Sequence, residues 1–428
     1  MKRTLLILLC TAILFCAACG GKAAEPASTE NDETAAGTVK QLSAPAYPES
    51  SDVSWEEGVS QEFLNAMNGF AAESSAELLG KADNNAVYSP ACLYMALALA
   101  ASGASGGTLG EMYSAMGLSK MSGDIVTENV NKLFRELYGN EDYGHLLLYN
   151  SLWLSSEYSF NEDFLNNARE SYFTEVYTLD PSAKYDTDPI AEWISEKTGG
   201  KLEYSPTNLD NIVMTLISTI DFYGEWTDSF KEDNNTAGDF TKSDGTKVTA
   251  EYMNKSSSGS FTKGDGWTMA SIPCKSGAEM YFILPDEGTD IGSIVGDPEK
   301  MAELLGGNGT EAGSSYGTIT WSVPKFDFTS DLDLIDLLKG MGMTSAFCED
   351  ADFSGISANK PLYIAGAKQS SRVAVNENGV SAASYTELMF AGSAMPTDKA
   401  EMILNRPFAF ALVYRGVTLF TGVVGDPS

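Results

Sequence analysis

Residues 375–408 read VNENGVSAASYTELMFAGSAMPTDKAEMILNRPF. Two strand-like segments bracket this stretch. Ser371–Val375 alternates in polarity, and Phe408–Tyr414 is dense in strand formers. Between Glu377 and Asn405 no helical or strand period is sustained. Connections longer than about 12–15 residues without structure of their own are usually functional or disordered. The first part, Val380-Ser381-Ala382-Ala383-Ser384-Tyr385-Thr386, is mostly small and compatible with a strand. The middle, Leu388 to Met395, is apolar. Taken alone, the stretch is equally a floppy insertion or a loop with a task, so its neighbours must decide.

Outward from the loop, Phe408–Tyr414 and Val417–Val424 flank Arg415-Gly416 and read as a hairpin. Upstream, Gly317–Pro324 reads as a strand, Leu332–Met341 as a helix, and Leu362–Ala367 as a further strand. Val248–Met253, Thr268–Ile272 and Glu279–Leu284 are strand-like. Ile212–Phe222 is a continuous apolar run, expected of a central strand covered on both faces. His145–Ser155 and Thr174–Leu179 are strands, with helices expected at Asn161–Tyr172 and Ile190–Thr198. Ser89-Pro90 starts a helix, serine at the cap and proline in the first turn. That helix, Ala91–Ala101, is apolar all round and so expected to be buried. Val87-Tyr88 is a short strand, and Glu57–Leu79 carries helical apolar spacing. The pattern is α+β, helices early and sheet late, and no internal linker divides it.

The N-terminus has a different composition. Lys2 and Arg3 precede an apolar run from Leu5 to Phe15. At about 1.5 Å per residue that run cannot cross a ~30 Å hydrocarbon core, so it reads as an export leader, residues 1–18. Cys16-Ala17-Ala18-Cys19 resembles the cleavage box of bacterial lipoproteins, which implies lipidation of Cys19 and an extracytoplasmic, membrane-anchored or secreted protein. Residues 19–55 are rich in Ala, Glu, Thr, Ser and Pro and poor in large apolar residues, so they are expected to be a flexible stalk. Residues 56–428 form one large domain.

The 428-residue chain carries a net charge of −32, which argues against nucleic acid as a partner. Beyond the leader and the lipidation candidate Cys19, the cysteines are Cys92, Cys274 and Cys348, an odd and scattered set with neither disulfide framework nor metal spacing. A catalytic triad needs a histidine beside a carboxylate and a serine elbow. The one histidine, His145, opens a strand, and no Gly-x-Ser-x-Gly occurs near a nucleophile-like context. Gly103 to Gly110 is glycine-rich but follows a helix-like run, so a helix-to-helix turn is expected rather than a phosphate cradle. Neither an enzyme, a metal site nor a cofactor is expected.

Several segments in order resemble the serpin family across residues 57–428. They are Asn85-Ala-Val-Tyr-Ser-Pro90 with Gly103 and Thr108, Phe222-Tyr-Gly-Glu-Trp226 with Phe230, Val323-Pro-Lys-Phe326, and Ala351-Asp-Phe-Ser-Gly-Ile356. Val375-Asn-Glu-Asn-Gly379, Leu404-Asn-Arg-Pro-Phe408 and Leu419-Phe-Thr-Gly422 with Pro427 complete the series. The resemblance implies a serpin fold of three β-sheets and eight to nine helices with an exposed reactive-centre loop at about residues 378–404.

It also implies a function: inhibition of serine, or cysteine, proteases by a sacrificial loop, in a monomer. A target protease acylates itself on the loop, and the cut loop then inserts as a new strand in a sheet. The implied hinge is Glu377, Gly379, Val380, Ser381, Ala382, Ala383 and Thr386, with Tyr385 departing from the small-residue pattern. The scissile bond is expected between Phe390 and Met395. Counting forward from Gly379 gives Ser393–Ala394, and counting back from Pro407 lands near Pro396. The window holds no lysine or arginine, so elastase-like targets suit Ala391, Ser393 or Ala394, and chymotrypsin-like targets Phe390 or Met389. Glu377 is expected to pair with Lys325 where insertion starts, beside Trp226. Ser89, Cys92, Ser218 and Gln369 are expected under the centre of the sheet, an altered form of the family's polar patch. The competing readings are a non-inhibitory serpin acting as a surface binding or structural protein, and a solute-binding lipoprotein.

Overall fold

A computed structural model describes residues 8–17, 37–48, 58–82, 84–202, 213–306, 314–357, 362–380 and 398–428. In chain order the first elements are β1 (Leu8–Ala17), β2 (Lys40–Ser43), α1 (Gln61–Leu79), β3 (Ala86–Tyr88), α2 (Pro90–Ser102), α3 (Gly106–Ala115) and α4 (Gly123–Leu137). β4 (Gly139–Glu141), β5 (Gly144–Ser155), α5 (Glu162–Glu170), β6 (Thr174–Leu179), α6 (Pro189–Lys197) and β7 (Met214–Glu225) follow. Next come β8 (Thr236–Thr241), β9 (Lys247–Gly264), β10 (Trp267–Pro273), β11 (Glu279–Pro285), α7 (Gly292–Val295), α8 (Pro298–Leu305), β12 (Ser314–Pro324) and β13 (Phe326–Asp333). The chain closes with α9 (Ile335–Gly340), β14 (Tyr363–Val375), β15 (Gly379–Val380), β16 (Asp398–Ile403), β17 (Phe408–Tyr414) and β18 (Val417–Val424).

The strands form two hydrogen-bonded networks. The first sheet runs β13-β14-β1-β7-β5-β6-β2, with β15 also on β7 and β4 on β5. The second runs β16-β12-β9-β10-β11-β17-β18-β3, with β8 on β9. Long β9 joins two halves of it: its start pairs with β8, and its end, Phe261–Gly264, pairs with β10. The fold is therefore the expected mixed α+β body with three sheets and, among the described residues, nine helices.

Helix α2 fixes the centre. Ser89 caps it, its Oγ accepting from the Cys92 amide at 3.3 Å, and Pro90 fills a first-turn position where a missing N–H costs nothing. Twelve of its thirteen residues, Pro90–Ala101, are buried, in a core shared with both sheets. Every residue of β7 is buried, as its unbroken apolar run requires of a strand covered on both faces. Leu216, Ile220 and Phe222 face the core under α2, while Ile217 packs outward with Trp153 and with Ile190, Trp193 and Ile194 of α6. Asp188 caps α6 by accepting from the Ile190 and Ala191 amides.

Four sequence expectations change. Leu332 and Asp333 end strand β13 rather than start a helix, because they pair with Gln369 and Lys368 of β14. Leu362–Ala367 and Ser371–Val375 belong to one strand, β14. The glycine-rich run is a turn only to Ser105, since Gly106 and Gly107 already lie in α3. The stalk is not free throughout: Lys40–Ser43 form β2 on the edge of the first sheet, because an open edge pairs with any nearby extended backbone.

The leader run takes a place in the fold of the full chain. Leu8–Ala17 form β1, antiparallel to both β14 and β7, from Leu8 opposite Phe222 to Cys16 opposite Met214. An apolar, strand-compatible decapeptide satisfies the facing edges of β7 and β14, which would otherwise carry unpaired backbone groups.

Candidate functional site

The site is the strand position between β7 and β14, together with the contacts at its entrance and centre. At the entrance, Gly379 and Val380 (β15) pair with Glu225 and Gly224 at the end of β7. Only glycine fits at 379, since a Cβ there would lie 2.3 Å from the Gly224 carbonyl oxygen. Val380 is fully buried. The loop therefore leaves the body from an edge where its first two residues are already hydrogen-bonded to the sheet.

Polar contacts fasten this entrance. Lys325 Nζ lies 2.5 Å from Glu377 Oε1 and 3.1 Å from Glu251. Asn235 Nδ2 donates to both carboxylates, at 2.5 Å to Glu377 and 3.1 Å to Glu251. Burial pushes the Glu377 carboxyl up, but hydrogen bonds from Lys325 and Asn235 outweigh it and hold it below the usual carboxylate range. Lys325 responds in the complementary sense: burial lowers it, the two glutamates prevail, and it ends above its ordinary value. Trp226 straps the turn, with its indole donating to the Asn376 carbonyl and its backbone amide to that of Asn378, both at 2.9 Å. On β7, Glu225 is held by Lys275 at 2.8 Å and the Tyr223 hydroxyl at 2.9 Å.

At the centre, Gln369 of β14 reaches the start of α2. Its Oε1 accepts from the Ser89 amide at 2.7 Å, and its Nε2 donates to the Ser89 carbonyl at 3.0 Å. Ser371 donates to the same Oε1 at 3.1 Å. Ser218 of β7 approaches Cys92 Sγ at 4.0 Å. All five residues are buried. Ser218 and Gln369 occupy the same level on the two strands, both opposite Ala12 of β1. One bidentate amide thus ties β14 to the helix beneath the sheet.

The fold brings together Lys325, Glu377, Gly379, Val380 and Trp226 at one end, and Ser89, Cys92, Ser218 and Gln369 at the centre. Cys19, Ser381, Ala382, Ala383, Tyr385, Thr386, Phe390, Ala391, Ser393 and Ala394 lie outside the described residues. Sequence reasoning missed Asn235, Glu251 and Ser371, which join the site through side-chain contacts and carry no local motif. His145 Nε2 lies 3.3 Å from Asp221, which also receives Lys201 at 3.1 Å, a contact joining β5 to β7. Among the described residues no group of His, Cys, Asp or Glu could hold a metal ion.

The entrance and centre contacts frame one strand position of the first sheet, between β7 and β14, which β1 fills in the full chain. The chain belongs to the serpin family: the family model described as serpin (serine protease inhibitor) matches residues 65–427. It is an inhibitor-family protein, not an enzyme. Mouse neuroserpin is 26% identical over 361 residues, covering 81% of this chain and 87% of its own. An uncharacterized serpin-like protein of Thermococcus kodakarensis is 28% identical, covering 100% of this chain and 99% of its own. Among solved structures, the native thermophilic serpin tengpin superposes with a TM-score of 0.75 at 24% identity, covering 91% of this chain and 99% of that one. Human thyroxine-binding globulin with bound ligand superposes with a TM-score of 0.73 at 22% identity, covering 86% of this chain and all of that one, a likeness of fold alone.

Proposed function

We propose that this protein inhibits serine endopeptidases as a suicide substrate, with the cleaved loop inserting between β7 and β14. The carrying observation is register. Val380 sits opposite Gly224, and the same track on β7 continues downward into the position that β1 holds in the full chain and that removal of the leader before Cys19 would vacate. One step further along that track puts Ser381 opposite Tyr223 and Ala382 opposite Phe222.

Directly opposed residues share a face of the sheet. Ala382, Ser384, Thr386 and Leu388 would then turn inward with Phe222, Ile220, Ser218 and Leu216. Tyr385 would turn to the opposite face with Thr219, away from the core under α2. Thr386 would set its hydroxyl against the polar patch of Ser218, Cys92 and Gln369. The inward residues of the first half are small, which a packed interior requires.

Acylation of the protease on the loop would be followed by insertion, which carries the scissile end to the far end of the sheet. Distortion of the trapped enzyme's oxyanion hole alone removes about 10²–10³ in deacylation rate. The cleavage window Phe390–Met395 favours elastase-like over chymotrypsin-like targets, with Ser393–Ala394 the first choice. The acidic chain would associate faster with basic proteases. We place the protein outside the cytoplasm, anchored through a lipid on Cys19, as a monomer.

The test is incubation with elastase and with chymotrypsin. An SDS-stable complex, and a cleaved form that melts higher than the intact one, are expected. Cleavage without complex or loss of protease activity would instead make it a non-inhibitory member acting as a binding protein. Mass spectrometry of the released C-terminal peptide identifies the scissile bond.

A further inference from the structure

The docked stalk segment decides which end of the molecule meets the membrane. β2 is antiparallel to β6, with Lys40 opposite Thr178 and Ser43 opposite Val176. Tyr47 anchors it, stacking on Tyr138 with ring centroids 5.3 Å apart and donating to Glu175 at 3.2 Å. Glu175 is itself fixed by Lys197 at 2.8 Å and by the Trp193 indole at 2.8 Å. Gly37 donates to the Lys184 carbonyl at 2.8 Å and packs on the Tyr185 ring so closely that a Cβ would lie 2.5 Å from it.

These contacts place Gly37 at one pole. β5 and β6 run in parallel from the loop end toward Ser155 and Leu179, and Gly37 lies beyond that level beside Lys184. Gly379 and Val380 lie at the other end of β7, twelve residues away or about 40 Å at ~3.3 Å per residue. The stalk therefore emerges at the pole opposite the reactive loop. That pole is also where an inserted loop would deliver its scissile end, beyond Met214 and Tyr363. The exit of the slot and β2 are separated by β7, β5 and β6, four strand spacings or about 19 Å.

We propose that the protein stands on a lipid bilayer with residues 37–48 as its foot, presents the reactive loop away from the surface, and delivers a trapped protease into the space between body and membrane. This rests on the inhibitor and Cys19-anchor readings. A protease domain of about 200 residues has a diameter of roughly 43 Å, from a radius of gyration near 16.5 Å. The link from Cys19 to Gly37 spans at most about 60–65 Å, enough to admit it. The link is thus a spacer whose length sets whether insertion can finish on a membrane.

The experiment uses chain lipidated at Cys19, in detergent and in phosphatidylcholine vesicles, with elastase as probe. Deleting residues 22–33 leaves a link of at most about 22 Å. The deletion is expected to leave complex yield unchanged in detergent and to lower it several-fold on vesicles, with cleaved product and free protease rising. Equal yields in the two settings would overturn the proposal. Fluorescent labels on Glu157→Cys and Glu232→Cys, in a Cys348→Ser background, read orientation without any inhibition. Stronger quenching by headgroup acceptors at residue 157 is expected, and equal or reversed quenching overturns it. If the undeleted chain forms no complex in detergent, the inhibitor reading fails, and the label pair still decides the orientation.

Discussion

Replacing Gln369 by alanine removes both hydrogen bonds that join β14 to the start of α2. The Ser89 amide would be left buried without its partner, which costs about 1–3 kcal/mol, and the emptied space brings the total to roughly 2–4 kcal/mol. At ~2.1 cal/mol/K per residue over about 370 residues, the unfolding entropy is near 0.8 kcal/mol/K, so the expected fall in Tm is about 3–5 °C. Calorimetry at matched scan rates is the assay, because large proteins often unfold irreversibly. Gln369→Leu keeps most of the volume and separates lost hydrogen bonds from lost packing. If the amide holds the closed sheet to its helix, the intact protein should lose more than the loop-cleaved form, whose sheet has already rearranged. An unchanged Tm, or equal losses in the two forms, would refute the reasoning.

Thr386→Arg should convert inhibition into substrate turnover, because an inward arginine opposite Ser218 carries a buried-charge cost of several kcal/mol, whereas Tyr385→Ala should leave complex yield unchanged; SDS gels against elastase read both. The Glu377 carboxyl is held below its ordinary value in the fold, so its stabilising effect is full above about pH 4.3 and is lost as pH falls through the lowered folded value. The Tm difference between wild type and Lys325→Met should accordingly be flat from neutral pH to about 5 and shrink in stronger acid. Gly379→Ala should displace β15 from β7 and speed proteolysis at the hinge, seen as earlier nicking by a low dose of protease. Tyr47→Ala should cost about 2–3 kcal/mol and expose the stalk, read by denaturant unfolding and by new cleavage near residue 40.

Much of the architecture was legible because local chemistry and final environment agree. Ser89-Pro90 reads as a helix start and is one. The apolar run at Ile212–Phe222 reads as a doubly covered strand, and β7, Met214–Glu225, is buried throughout. Arg415-Gly416 turns the last hairpin, both residues adopting positive φ. Reading failed where pairing across the chain overruled local pattern. Leu332-Asp333 carries helical spacing but is held as strand by β14, and Lys40–Ser43 lies in a polar, low-complexity segment yet closes a sheet edge. Of the site, Glu377 with Lys325 and the four central residues could be named from motifs. Asn235 and Glu251 could not, because their partners Glu377 and Lys325 lie far away in the chain, and Ser371, bonded to Gln369 two residues before it, carries no motif that marks it.

The amino-acid order by itself determined the class of fold and the small-residue composition of the hinge, since each is a property of contiguous residues. Only the tertiary structure decided that Gln369 clasps both backbone groups of Ser89, that Gly379 and Val380 pair with the end of β7, and that Lys40–Ser43 closes an edge of the first sheet. These depend on strand order and alignment, which backbone hydrogen bonding settles between segments with no sequence proximity to encode it.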